Sequence, residues 1–145
     1  MKQQINPKRP SPCHCINTRR ASRAVTQFYD DILKPSGITT SQLSLLKHLE
    51  IAETATISEL AKRMRIDRTT LNRNMKPLIE AEFLEIKQGK DSRTRQIMLT
   101  GKGKDAVDRG WKLWGVAQAS LKEYMGEEDL AKLVELLSKL EALAP

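Results

Sequence analysis

Thr69, Asn72, Arg73 and Lys76 fall at the three-and-four spacing that gathers side chains on one face of a helix. Together they offer a hydroxyl, an amide and two cations, with no carboxylate before Glu80. Such groups donate to base edges and phosphate oxygens, so this face suits a nucleic acid. A step around the same segment, Leu71, Met75, Leu78 and Ile79 supply an apolar stripe for a core. Asp67 precedes both faces and can cap the helix, its carboxylate accepting the free N–H groups of the first turn.

The other reactive group is Cys13-His14-Cys15, set among Lys8, Arg9, Arg19 and Arg20. A positive helix start and nearby cations favour thiolate, which suits an oxidant sensor. Helical residues two apart point about 200° away from each other, so a disulfide within the pair would need local unwinding. A bridge between subunits or a sulfenate would not. Cys13, Cys15, His14 and the distant His48 are the only thiols and imidazoles in the chain, and their spacing matches no standard zinc motif. Three readings of Cys13 and Cys15 stay open: inert, redox-active or metal-binding.

These groups need helices to hold them. Residues 1–10 are polar, contain Pro7 and Pro10, and read as a flexible basic arm. Ser11-Pro12 has the form of a helix start, a capping hydroxyl followed by a proline at the first helical position. That helix is expected to run to about Lys34, with Ala21, Ala24, Val25, Phe28 and Ile32 as its stripe and Pro35 and Gly37 as its stop. Thr39 with Gln42 has capping-box spacing, and Ile38 with Leu43 the spacing of a hydrophobic staple. A second capping box, Thr56 with Glu59, opens the short helix I-S-E-L-A-K-R-M, and Asp67 opens the next. Two short helices joined by a few residues, the second polar on its outer face, form a helix-turn-helix pattern. Pro77 predicts a bend near Arg73.

After Glu82 the period changes from helical to alternating. F-L-E-I-K-Q and R-Q-I-M-L-T flank a turn rich in Gly, Lys, Asp, Ser and Arg, which reads as a β-hairpin. Thr100 can cap a long helix ending at Gly126. Glu127, Glu128 and Asp129 favour the positive start of a last helix, whose apolar residues spread over more than one side and predict burial on two faces. The fold class is therefore mainly α with a small β-hairpin wing.

Length and composition restrict function. At 145 residues the chain is one domain able to bury a core. Its net charge of +7 favours a polyanionic partner, and the charge is localised. Between Ile57 and Thr100 ten basic residues face six acidic ones, whereas from Glu127 onward acidic residues prevail. No apolar run approaches the roughly 20 residues of a membrane span, and the first residues lack a signal peptide's apolar core. The expectation is a soluble, cytoplasmic protein without a membrane partner. Paired carboxylates, a Ser-His-Asp set and a phosphate-binding Gly-rich loop are all missing from the sequence, which argues against an enzyme and against a cofactor.

The order helix, helix, short helix, recognition helix, wing and two long helices resembles the MarR family of bacterial winged helix-turn-helix transcription regulators. The match is carried by I-S-E-L-A-K-R-M, by R-T-T-L-N-R-N from Arg68, and most specifically by D-S-R-T-R-Q-I-M-L-T-G-K-G from Asp91. The resemblance implies that residues 38–100 form the DNA-binding domain. Residues 11–37 and 101–145 would be dimerisation helices, all within one compact domain of a homodimer. It assigns Arg68, Thr69, Thr70, Asn72, Arg73 and Asn74 to the major groove and Lys90 and Arg95 to phosphates, while the ammonium of Lys76 is itself suited to a phosphate contact. Arg93 would enter the minor groove with Asp91 holding it. The implied partner is double-stranded DNA bearing a pseudo-palindromic operator, with half-sites spaced by about one turn, roughly 34 Å. A repressor released by a small-molecule ligand or by thiol oxidation is the simplest mode. No effector site is legible: Trp111, Trp114, Tyr29 and Phe28 suit either a ligand cleft or ordinary packing. The alternative function is a winged-helix interaction module that binds an acidic protein.

Overall fold

The computed structural model describes residues 6–89 and 95–145. Its elements are α1 (His14–Leu33), a 3-10 turn (Lys34–Ser36), α2 (Thr40–Ala52), β1 (Thr54–Ala55) and α3 (Ile57–Met64). They continue as α4 (Arg68–Glu80), β2 (Leu84–Lys87), β3 (Gln96–Leu99), α5 (Gly101–Met125) and α6 (Glu127–Glu141).

Local capping chemistry sets most helix starts. Thr39 Oγ1 accepts the Gln42 N–H at 3.2 Å while Gln42 Oε1 accepts the Thr39 N–H at 2.9 Å. Thr56 and Glu59 repeat the exchange at the start of α3, at 3.2 and 3.3 Å. Each box satisfies two of the donors that a helix start leaves free. The first helix departs from the expectation. It begins at His14 rather than after Ser11, because Ser11 Oγ accepts the Cys13 N–H at 3.1 Å. Asn17 also folds back on Ser11, accepting its N–H at 2.8 Å and donating to its carbonyl at 2.9 Å. These bonds hold Cys13 extended, at φ −91° and ψ 116°.

The core lies between α2, α3, α4, β3 and α5. Leu45, Leu46, Leu49, Leu60, Leu71, Leu78, Ile97 and Val107 are fully buried in it, and Leu33 joins from the end of α1. The expected hairpin is present, with Leu84 opposite Leu99 and Lys87 opposite Gln96. A third strand was not expected: Thr54 and Ala55 pair with Met98 and Ile97, giving the antiparallel order β1-β3-β2.

Two apolar faces find no cover among the described residues. Ala21, Ala24 and Val25 of the expected α1 stripe are exposed, and α1 instead buries Tyr29 and Leu33 against its neighbours. The last helix has no buried residue at all, contrary to the expectation of two buried faces. Val134, Leu136, Leu137 and Leu140 stand exposed along it.

Candidate nucleic-acid interface

Three residues, Arg65-Ile66-Asp67, connect α3 to α4. Arg65 takes the left-handed conformation, at φ 55° and ψ 44°, and its N–H donates to the Lys62 carbonyl at 3.2 Å. The Ile66 N–H then returns to the Ala61 carbonyl at 3.1 Å. This closure satisfies the end of α3 and turns the chain sharply, while Leu60 and Ala61 on one side and Leu71 and Met75 on the other bury in a common core.

Asp67 opens α4 as its sequence position predicts, accepting the Thr70 N–H at 2.7 Å. Hydrogen bonds from Thr70, the backbone bond foremost, hold the Asp67 carboxyl below its ordinary value, and the positive charge of Arg73 adds to the effect. The carboxylate therefore stays ionised at the positive end of the helix.

Leu71, Met75 and Leu78 anchor the inner side of α4. At 100° per residue, Thr69, Arg73 and Lys76 lie nearly opposite them, and all three are exposed. Arg68 and Asn72 are exposed on one flank; Thr70 and Asn74 are half-buried on the other. Thus the helix gathers every predicted residue from Arg68 to Lys76, but with unequal reach. Ile79 corrects the sequence reading: it is 39% exposed, because it lies beside the Asn72 flank and outside the narrower stripe that packs. Pro77 withholds one bond from the Arg73 carbonyl, yet α4 continues through it to Glu80.

Arg95 is exposed immediately before β3, and Lys87 is exposed across the hairpin from Gln96. Lys90, Asp91 and Arg93 lie outside the described residues. Two further exposed cations, Lys62 and Arg63, occupy the last turn of α3. The regional charge included them, but no spacing singled them out. Arg65 is engaged elsewhere, its guanidinium donating to Glu141 at the end of α6 over 2.6 Å. That contact joins residues 76 positions apart, a separation that local pattern cannot reveal.

The candidate effector aromatics all make contacts within the chain, although Trp111 stays 40% exposed. Trp111 and Trp114 stack with centroids 4.2 Å apart, and Lys47 sits 4.1 Å over Trp111 while pairing with Glu50. Tyr29 donates its hydroxyl to Gln118, with Phe28 against its edge, and burial raises the Tyr29 phenol above its ordinary value. His48 Nδ1 pairs with the Ser44 carbonyl at 2.7 Å. Cys13 and Cys15 are both exposed. Since Cys13 precedes α1 in extended conformation, the helical opposition that the sequence implied for the pair does not apply. Among the described residues no group of three or more His, Cys, Asp or Glu side chains is placed to hold a metal, and no helix is long and apolar enough to cross a membrane.

Comparison with known proteins agrees with this geometry. Residues 36–94, which include α2 through β2, match the model of the MarR family. The crystal structure of the M. tuberculosis transcriptional regulator MosR in complex with DNA superposes with a TM-score of 0.77 at 35% identity, covering 92% of this chain and 99% of that one. The HTH-type transcriptional regulator SarZ of Staphylococcus epidermidis is 29% identical over 117 residues, 79% of this chain and 77% of the relative. A mutant E. coli MarR complexed with operator DNA shares the fold, with a TM-score of 0.75 at 23% identity over 85% of this chain and 89% of that one.

Proposed function

Since the chain belongs to the MarR family of transcription regulators, we propose that it is a homodimeric, sequence-specific regulator that binds double-stranded DNA. The observation that carries this reading is the outer strip of α4, where Thr69, Arg73 and Lys76 stand exposed with no carboxylate between Asp67 and Glu80. Placed in a major groove, Arg73 pairs with a guanine edge, Thr69 and Asn72 reach neighbouring bases, and Lys76 meets a phosphate. The half-buried Asn74 and Thr70 serve the margin of the contact. Arg68 lies at the helix start beside the backbone, and Arg95 meets phosphates from the edge of the wing. By resemblance to the family's wing pattern, Arg93 is the residue for the minor groove and Asp91 the one that holds it. MosR and MarR, bound to DNA in the structures compared, support the same use of the fold.

The uncovered faces of α1 and α6 suit a second copy of the chain. In this arrangement residues 11–37 and 101–145 dimerise and residues 38–100 bind DNA, with the two α4 helices roughly 34 Å apart on a pseudo-palindromic operator. Occupation of a promoter makes the protein a repressor. Release follows when a small-molecule ligand or oxidation of Cys13 and Cys15 favours a dimer whose α4 spacing no longer fits the two grooves. Exposure of both thiols supports access by an oxidant.

The test is titration of the protein into its own upstream DNA, before and after peroxide and again after dithiothreitol. Reversible loss of binding that disappears in Cys13→Ser/Cys15→Ser supports the thiol switch. Peroxide-resistant binding by the wild type leaves a ligand as the release signal. Absence of any operator preference refutes the DNA-binding reading.

A further inference from the structure

The chain leaving α4 is bound back onto it at every step. The Ala81 N–H donates to Pro77 at 3.0 Å, Glu82 to Ile79 at 3.0 Å and Phe83 to Leu78 at 2.9 Å, with Glu82 in the left-handed region at φ 62°. Thr100, 17 positions beyond Phe83 in the sequence, closes on this segment. Its N–H donates to the Phe83 carbonyl at 3.1 Å, and its hydroxyl donates to the Glu82 carbonyl at 2.6 Å. The same hydroxyl oxygen accepts the Gly103 N–H at 3.0 Å and so caps α5. Gly103 completes the contact, since a Cβ there would lie 2.2 Å from the Phe83 carbonyl oxygen. The first turn of α5 therefore rests directly on the backbone that leaves α4.

From these contacts we infer that Thr100 is a positioning residue, which fixes the orientation of α4 on α5. One hydroxyl ties together the end of the recognition helix, the start of α5 and, through Leu84 and Leu99 on either side, both strands of the wing. The joint is made mostly of backbone, which has far fewer rotatable bonds to loosen than a pair of long side chains. Loosening it lets α4 sample a wider range of orientations while removing no group that touches DNA. On the DNA-binding reading, from which this consequence follows, base readout needs that orientation, whereas non-specific phosphate contacts tolerate its loss.

Two measurements decide the matter. The first is the distance distribution between nitroxides on Lys76→Cys and Lys112→Cys in one chain, in a Cys13→Ser/Cys15→Ser background diluted with unlabelled protein. Wild-type Thr100 and Thr100→Ser give one narrow peak, and Thr100→Val a broader one; identical distributions overturn the proposal whether or not the protein binds DNA. The second is affinity for operator against scrambled duplex. Thr100→Val weakens operator binding by about 10-fold, the scale of one lost hydrogen bond of good geometry, and leaves scrambled duplex unaffected. Thr39→Val is the control, because it removes a hydroxyl cap from α2 that takes no part in the hydrogen bonds joining Glu82, Thr100 and Gly103. It lowers thermal stability without changing selectivity, and an equal loss of selectivity in Thr39→Val would reduce Thr100 to an ordinary cap. A broadened peak in a protein with no operator preference keeps the joint and refutes only the DNA-binding reading.

Discussion

Replacing Arg73 by alanine separates base readout from general attraction to DNA. Arg73 is exposed near the middle of the outer strip of α4 and forms no ion pair among the described residues, so its removal leaves the core of Leu71, Met75 and Leu78 untouched. The folding free energy should change by no more than about 0.5 kcal/mol. A bidentate arginine–guanine pair discriminates by about 1 to 3 kcal/mol. A dimer carries two such pairs, and half-sites one turn apart are distant enough for the losses to add, giving about 2 to 6 kcal/mol. Operator affinity then falls by at least about 30-fold. Fluorescence anisotropy with a labelled operator and duplexes altered at single positions measures this directly. Arg73→Ala should lose preference at one symmetry-related base pair and keep it elsewhere, and unchanged preference at every position refutes the assignment. Lys76→Ala provides the contrast, weakening operator and scrambled duplex alike and lowering the salt slope by about 1 per lost phosphate contact.

Asp67→Ala should lower the melting temperature and Asp67→Asn, which keeps an accepting oxygen, should do so less. Because the folded carboxyl titrates below its ordinary value, the cap stabilises fully above the usual aspartate range and is lost as pH falls through the lowered value. The melting difference between wild type and Asp67→Ala therefore shrinks in acid, and a difference that grows there contradicts the cap. Leu71→Ala, at a fully buried position between the two helices of the motif, should cost about 2 to 5 kcal/mol in urea unfolding. Leu137→Glu alters a side chain that is 48% exposed in the single chain, so secondary structure should persist while sedimentation shows monomer. A dimer that survives Leu137→Glu counts against α6 as the interface.

Local chemistry was legible wherever a short pattern carries its own energy. Both threonine capping boxes, Asp67, Thr100 and Gly126 stand at the helix ends where their spacing put them. The strand at Thr54–Ala55 was not legible, since two residues have no period and pair only because β3 runs beside them. Ser11-Pro12 carried a real start signal that a second local interaction overrode, the return of Asn17 onto Ser11. The apolar content of α6 was plain, but its periodicity marks a face without saying which chain covers it. At the candidate interface, composition singled out α4, while the difference in exposure between Arg73 and Asn74 required the position of the core.

Sequence-specific DNA binding is measured by affinity for the protein's own upstream DNA and for scrambled duplex of equal length over several salt concentrations. A sequence-specific DNA-binding regulator shows clear preference for the upstream DNA and a steep inverse dependence on salt, about 0.9 in log–log slope for each phosphate neutralised. Equal, weak binding to both duplexes would contradict that function, leaving a basic surface without sequence readout.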